Sequence, residues 1–222
     1  MSELLASFER LLDTAGGDAL MPALDVAGFL DALRELPLRE IEPLLRALGR
    51  RAIDAPVAEA MAARAVPAPS RALLAVIATA EMAGIGERLL DMSIEHANTR
   101  EQFGRPIGKF QAIQQQLAVM AEQVMMTRIA AQTSCAHGLE PPLAAAAVAK
   151  SAASSAAPTI AGIAHAVHGA IGITREFPLH RFTARLHALR MSHGSESYWN
   201  RLLGSARLQA DAQNSLDFVR SI

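Results

Sequence analysis

A single cysteine, Cys135, a single tryptophan and a single tyrosine stand among 222 residues. One cysteine excludes an intrachain disulfide framework and fits a reducing compartment, so the expected location is the cytoplasm. Aromatics make up 4% of a chain that is 51% hydrophobic, so any core has to be built from Ala, Leu, Ile, Val and Met. A dominant charge is missing too. Lys and Arg number 21 against 22 Asp and Glu, which leaves no broad basic field for nucleic acid. The opening MSELLASFERLL carries acidic residues where a signal peptide has a basic region, an apolar stretch and a small-residue cleavage site. The Ala-rich runs are interrupted by Lys, Glu, Arg or Pro, and the expectation is that none spans a bilayer and that no membrane is bound. Alternating β-branched segments are scarce, and the glycines fall mostly at breaks between Ala-rich runs. The expected class is all-α.

What is there is a series of helical runs in two groups. Residues 1–66 read as a small lobe of short helices divided at Gly16-Gly17, Pro22, Pro37 and near Ala55-Pro56. Residues 67–70, Pro-Ala-Pro-Ser, form a stiff connection in which Ser70 is placed to cap the next helix. Residues 71–222 then form a four-to-five-helix bundle. Arg71 to about Asn98 is apolar on more than one face, as suits a central helix. About Lys109 to Cys135 follows, with Ile113, Leu117, Met120, Val124 and Ile129 spaced for one buried stripe; Met120, Met125 and Met126 suit gap-filling in a core or the lining of an apolar tunnel. Leu143 to His168 is Ala-rich, suited to close packing, with a kink expected at Pro158. Leu179 to Met191 and Glu196 to about Phe218 complete the set.

Two corners interrupt the bundle. In the first, TREQFGRPIGKFQ from Thr99 to Gln111, Gly104 permits a tight turn and Pro106 suits the approach to a new helix, which predicts a rigid helical corner. A guanidinium held there can grip a pyrophosphate with paired hydrogen bonds, and Phe103 offers a flat face to a ring. The plainer alternative has Arg100 capping helix carbonyls and Phe103 filling core. The second corner is AVHGAIGITREFPLHR, Ala166 to Arg181. His165, His168, His180 and His187 have no carboxylate partner that would complete a metal set, so no metal is expected.

These corners resemble those of the acyl-CoA dehydrogenase family. The first fits the pattern R-x-x-F-G-x-x-I-x-x-F-Q at Arg100, Phe103, Gly104, Ile107, Phe110 and Gln111. The second is similar to Q-x-x-G-G-x-G-x-x-x-E-x-P, with Gly169, Gly172, Glu176 and Pro178 in place and with Ala166 and Ala170 replacing the Gln and the second Gly. The resemblance covers Arg71 to about Leu208 and implies the family's C-terminal helical bundle, FAD as cofactor and an acyl-CoA substrate. It further implies flavin contacts across a subunit interface from Arg100, Gln102 and Phe103, and cofactor contacts at the flavin's ADP portion from His168, Gly169 and Ala170.

Two departures from the family shape the functional expectation. The β-rich domain that the family inserts between its N-terminal helices and this bundle is replaced by the short connection at 67–70. The family's catalytic Glu falls on His193, or in its alternative location on Ser70, so no carboxylate stands at either place. The resemblance therefore implies a shortened subunit that completes the FAD site of a homologous full-length subunit, or of a second copy, with the base supplied by the partner. Two alternatives remain: a non-catalytic helical assembly protein, or a variant flavoenzyme using His193, whose neutral imidazole has a suitable pKa for a base and whose ordinary role is to cap a helix.

Overall fold

The computed structural model describes residues 2–211 and 214–221. The lobe comprises α1 (Ser2–Thr14), α2 (Leu20–Val26), α3 (Ala32–Glu35), α4 (Leu38–Arg50) and α5 (Val57–Ala65). Pro22 does not divide this lobe as expected. It lies in the first turn of α2, where a missing N–H leaves no helical bond unmade, and the break comes at Gly28 with a left-handed φ of 78°.

The bundle is α6 (Arg71–Thr99), α7 (Gln111–Cys135), α8 (Leu143–His168), α9 (Leu179–Met191), α10 (Glu196–Gln209) and α11 (Ser215–Ser221). Ser70 caps α6 by accepting from Leu73 N at 3.1 Å. As its all-round apolar sequence requires, α6 is central, packing against α4, α7, α8 and α9. Small residues set the spacing. A Cβ on Gly84 of α6 would stand 2.0 Å from Arg46 O, and one on Gly49 of α4 would stand 2.0 Å from Glu81 O, so the two backbones touch through reciprocal glycines. An ion-pair network covers that crossing, in which Arg46 pairs with Glu42 and Glu87, and Arg50 with Asp91. Lobe and bundle share one apolar core, in which Phe8, Leu24, Leu45 and Met61 join Leu73, Val76 and Cys135. The connection between them lies at the surface, with Pro67, Ala68 and Ser70 exposed.

Several expectations are corrected. The start of α7 is Gln111, because Ile107–Lys109 form a 3-10 turn. Only Met120 and Val124 of its expected stripe are fully buried; Ile129 is 54% exposed, and Met125 and Met126 are half exposed, so they neither fill core nor line a tunnel. The run of α8 is unbroken through Pro158. Together with the turn that follows, Leu143–Ile173 is long and apolar enough to cross a membrane, contrary to expectation; in this fold α8 packs against α6, α7, α9 and α10. Finally, the last expected helix is two, since Ala210 adopts an extended backbone after Gln209, and Ala212 and Gln213 lie outside the described residues.

Candidate functional site

The first corner is not the helical one that its prolines and glycines predict. Arg100 closes α6, donating its N–H to His96 O at 2.8 Å, and its own carbonyl accepts from Ile107 N at 2.8 Å. Between them, β1 (Glu101–Gln102) and β2 (Arg105–Pro106) pair antiparallel. The two-residue link, Phe103 and Gly104, has φ values of 53° and 77°, as in a type I′ hairpin. A left-handed Phe is strained by roughly 1–3 kcal/mol, and the paired hairpin carries its side chain out of the fold at 90% exposure. Phe110 anchors the hairpin, lying under the Arg105 guanidinium at 4.3 Å and edge-on to Phe103 at 6.2 Å. Among the described residues the Arg100 guanidinium has no partner, and Gln102 is exposed. Both plainer alternatives fail here, because Arg100 caps nothing with its side chain and Phe103 fills no core.

The second corner closes α8. Gly169 ends the helix with a φ of 60°, and open space surrounds the place where a Cβ would be; Ala170 beside it is exposed. Gly172, by contrast, is buried where a Cβ would lie 2.9 Å from Leu179. His168 is buried and faces inward, its Nδ1 2.7 Å from Ala164 O. Its ring stacks on His96 at 4.6 Å, one turn before Arg100, and lies 4.9 Å from Phe177. Burial lowers the pKa of both histidines, which also face each other, so they stack as neutral rings. This stack brings the two sequence-distant corners to one end of the bundle.

His193 stands elsewhere, past the other end of α9, about 20 Å along the helix axis at 1.5 Å per residue. It adopts a left-handed φ of 54°, followed by Gly194 at 105°. The turn is held from below by buried Lys150, whose Nζ donates to Leu189 O, Arg190 O and Gly194 O at 2.8, 2.9 and 3.2 Å. Glu196 pairs with Arg190 and points away, as its helical position requires.

Two carboxylates that the sequence did not single out lie along α9, one at this turn and one at Arg185. Glu59 of α5 places Oε1 3.9 Å from His193 Nε2, and His193 holds the Glu59 pKa down. Glu81 of α6, 2% exposed, accepts from Arg185 at 3.0 Å. Burial pushes its pKa up to about 7 against the pull of Arg185, and the charge of Glu59 adds to the rise. One signal for Glu81 was present: it is the lone charge in the apolar run from Ala72 to Gly86. Among the described residues no cluster of His, Cys, Asp and Glu could hold a metal.

Comparison with known proteins explains the corners. The sequence profile described as "Acyl-CoA dehydrogenase, C-terminal domain" matches residues 69–208, well over half the chain. The chain belongs to the acyl-CoA dehydrogenase family. It is 39% identical over 113 residues to 3-sulfinopropanoyl-CoA desulfinase of Paraburkholderia xenovorans, covering 50% of this chain and 29% of that one. To the acyl-CoA dehydrogenase IpdE2 of Mycobacterium tuberculosis it is 38% identical, covering 51% and 35% respectively. The match thus spans about a third of these relatives. Among solved structures, the ChsE4-ChsE5 complex from Mycobacterium tuberculosis superimposes with a TM-score of 0.61 at 30% identity, covering 64% of this chain and 39% of that chain. The glutaryl-CoA dehydrogenase complex with glutaryl-CoA gives 0.57 at 33%, covering 60% and 35%. In this member of the family the only strands among the described residues are the two-residue pair of the hairpin, and the lobe joins the bundle directly through 67–70.

Proposed function

We propose that this chain is a subunit of an FAD-dependent acyl-CoA dehydrogenase, lending contacts to a flavin held mainly by a homologous full-length subunit that also supplies the catalytic Glu. The single observation that carries the proposal is the strained hairpin that presents an unpartnered Arg100 beside an outward-facing Phe103. The donor set suits the diphosphate of a dinucleotide: Arg100 would hold it with charge-assisted bonds, Gln102 and the open corner at Gly169 and Ala170 would lie alongside, and Phe103 would cover a ring, while His168 supports the corner from within. When bound, FAD supplies the hydride acceptor for α,β-dehydrogenation of a CoA thioester. The residues of this chain bind and orient, and the two positions where the family carries its catalytic Glu hold His193 and Ser70.

A surface for the partner is at hand. Between α7 and α8 lies a groove of about 460 Å³ lined by Met126, Ile129, Ala130, Ala145, Val148 and Ala152. Thr133, Ser134 and His137 add polar groups to the lining, and Ile129 is 54% and Val148 46% exposed, a largely apolar face that suits burial against another helical bundle.

The test is co-purification with the full-length subunit and measurement of flavin absorbance. Arg100→Ala is expected to weaken FAD retention by about 1.5–3 kcal/mol, roughly 10- to 150-fold, with the assembly intact. An Arg100→Ala complex that keeps FAD as tightly as wild type sinks the proposal.

One observation favours a second reading, in which His193 is this chain's own base: Glu59 stands where it could orient the imidazole. Under the leading proposal His193→Ala leaves dehydrogenation nearly intact. Loss of a positioned base would lower the rate about a hundredfold to ten-thousandfold, so the outcome separates the two.

A further inference from the structure

Where the lobe meets the bundle there is an open basin of about 820 Å³, built from α1, the glycine loop after it, the end of α4, and one face each of α6 and α9. Four arginines line it, and they differ in commitment. Arg50 is tied to Glu87 and Asp91, and Arg51 to Asp13 and Glu9, so each of these guanidiniums is neutralised in place. The guanidiniums of Arg88 on α6 and Arg181 on α9 have no hydrogen bond or ion pair among the described residues, although both face the same space. The remaining acid on the rim, Asp54, is 98% exposed in its side chain and turns toward Arg185 at 3.5 Å. The basin therefore holds two guanidiniums without a hydrogen-bond or ion-pair partner among the described residues, projected from separate helices, in a lining of four arginines against the three acids Glu9, Asp13 and Asp54.

Its floor is apolar, with Phe182, Ile53 and Leu12 contributing. Gly16 and Gly17 form part of the wall, and nothing lies within 4 Å of where their Cβ atoms would be, so the wall leaves room. Arg88 also borders a smaller cavity, of about 210 Å³, that reaches Met92, Glu95, His96 and Thr99. Its guanidinium thus stands between the basin and the end of α6 that carries the flavin-contacting corner.

We infer that this basin binds a phosphate ester with an apolar or flat arm, Arg88 and Arg181 gripping the phosphate while Phe182 and Ile53 receive the arm. Paired guanidiniums on rigid helices suit phosphate oxygens, and the volume lies in the range of small-molecule sites. Two sources of that chemistry fit an acyl-CoA dehydrogenase, a CoA thioester and a flavin dinucleotide. Only the identity of the ester rests on the proposed function; the site itself rests on the two unpaired arginines.

The experiment is calorimetric titration of the purified full chain, at low salt, with coenzyme A, FAD and inorganic phosphate in separate runs. Arg88→Gln and Arg181→Gln are each expected to weaken binding of one of the esters about tenfold, and the double variant about a hundredfold. The control Arg201→Gln, an exposed arginine on α10, should change nothing. Unchanged thermal melting of the variants shows that the fold survives. A fall confined to coenzyme A identifies the thioester as the occupant, and a fall confined to FAD identifies the dinucleotide. If the wild type binds neither ester, or the double variant binds both as the wild type does, the inference is overturned. Arg100→Ala should leave coenzyme A affinity untouched, so failure of the basin and failure of the flavin corner are read separately.

Discussion

Replacing Glu81 by Gln should make this protein more stable at pH 8, although it deletes one partner of a 3.0 Å ion pair. The reasoning starts from burial. The carboxyl of Glu81 ionises at about 7 in the fold against an ordinary 4.5, because desolvation outweighs the attraction of Arg185. A raised carboxyl pKa means that the folded state keeps its proton while the unfolded state releases one, so stability falls as pH rises from about 4.5 through 7. At 1.36 kcal/mol per unit, the full loss is about 3 kcal/mol at pH 8, and under about 1 kcal/mol has accrued by pH 5. Glu81→Gln has nearly the same shape and cannot ionise. Its stability should match that of the wild type within about 1 kcal/mol at pH 5 and exceed it by about 3 kcal/mol at pH 8. His96 and His168 titrate with the opposite sign, since their lowered pKa values cause stability to be lost as pH falls below about 6.5, but they are common to both proteins and cancel in the difference. Urea unfolding at pH 5, 6, 7 and 8 gives the comparison. A variant less stable than the wild type at pH 8 would refute the reasoning, because the pair with Arg185 would then outweigh the desolvation of Glu81.

Three further outcomes follow from the packing and the corners. Gly84→Ala places a methyl where Arg46 O lies 2.0 Å away, so α4 and α6 must part by over an ångström; a loss of at least 1–3 kcal/mol in urea unfolding is expected, and an unchanged midpoint would contradict the close crossing. Val148→Glu puts a charge into the α7–α8 groove and should split the assembly in light scattering without lowering the melting temperature of the fold. Phe103→Gly relieves a left-handed side chain and should stabilise the isolated chain by roughly 1 kcal/mol while weakening FAD retention in the complex; improved retention would mean that the ring contributes nothing.

Local signals were legible and convergent ones were not. Ser70 as a cap, the span Leu143–His168 and the span Leu179–Met191 follow from capping, proline and glycine signals within a few residues, and they hold residue for residue. Pro22 misled because a proline breaks a helix only past its first turn. Met125, Met126 and Ile129 misled because helical spacing alone does not tell a buried stripe from an exposed apolar one, and these three stand about half exposed. At the site, the corner around Arg100 was found because its residues are contiguous, but its hairpin was hidden, since Phe is a poor candidate for a left-handed turn. The grouping of Glu59, Glu81, Arg185 and His193 unites residues up to 134 positions apart, counted from Glu59 to His193. No window of sequence could join them.

The exposed connection at 67–70 has an implication for how such a chain can be altered. It joins helices that are already locked to one core, so beyond the Ser70 cap the fold asks little of what lies between Val66 and Arg71. A whole module could be spliced in at that point, or cut out of a longer ancestor, with the two halves still finding each other through Gly49 and Gly84. The length of that surface connection can therefore change without disturbing the crossing at Gly49 and Gly84, and anything inserted there would lie outside the shared core.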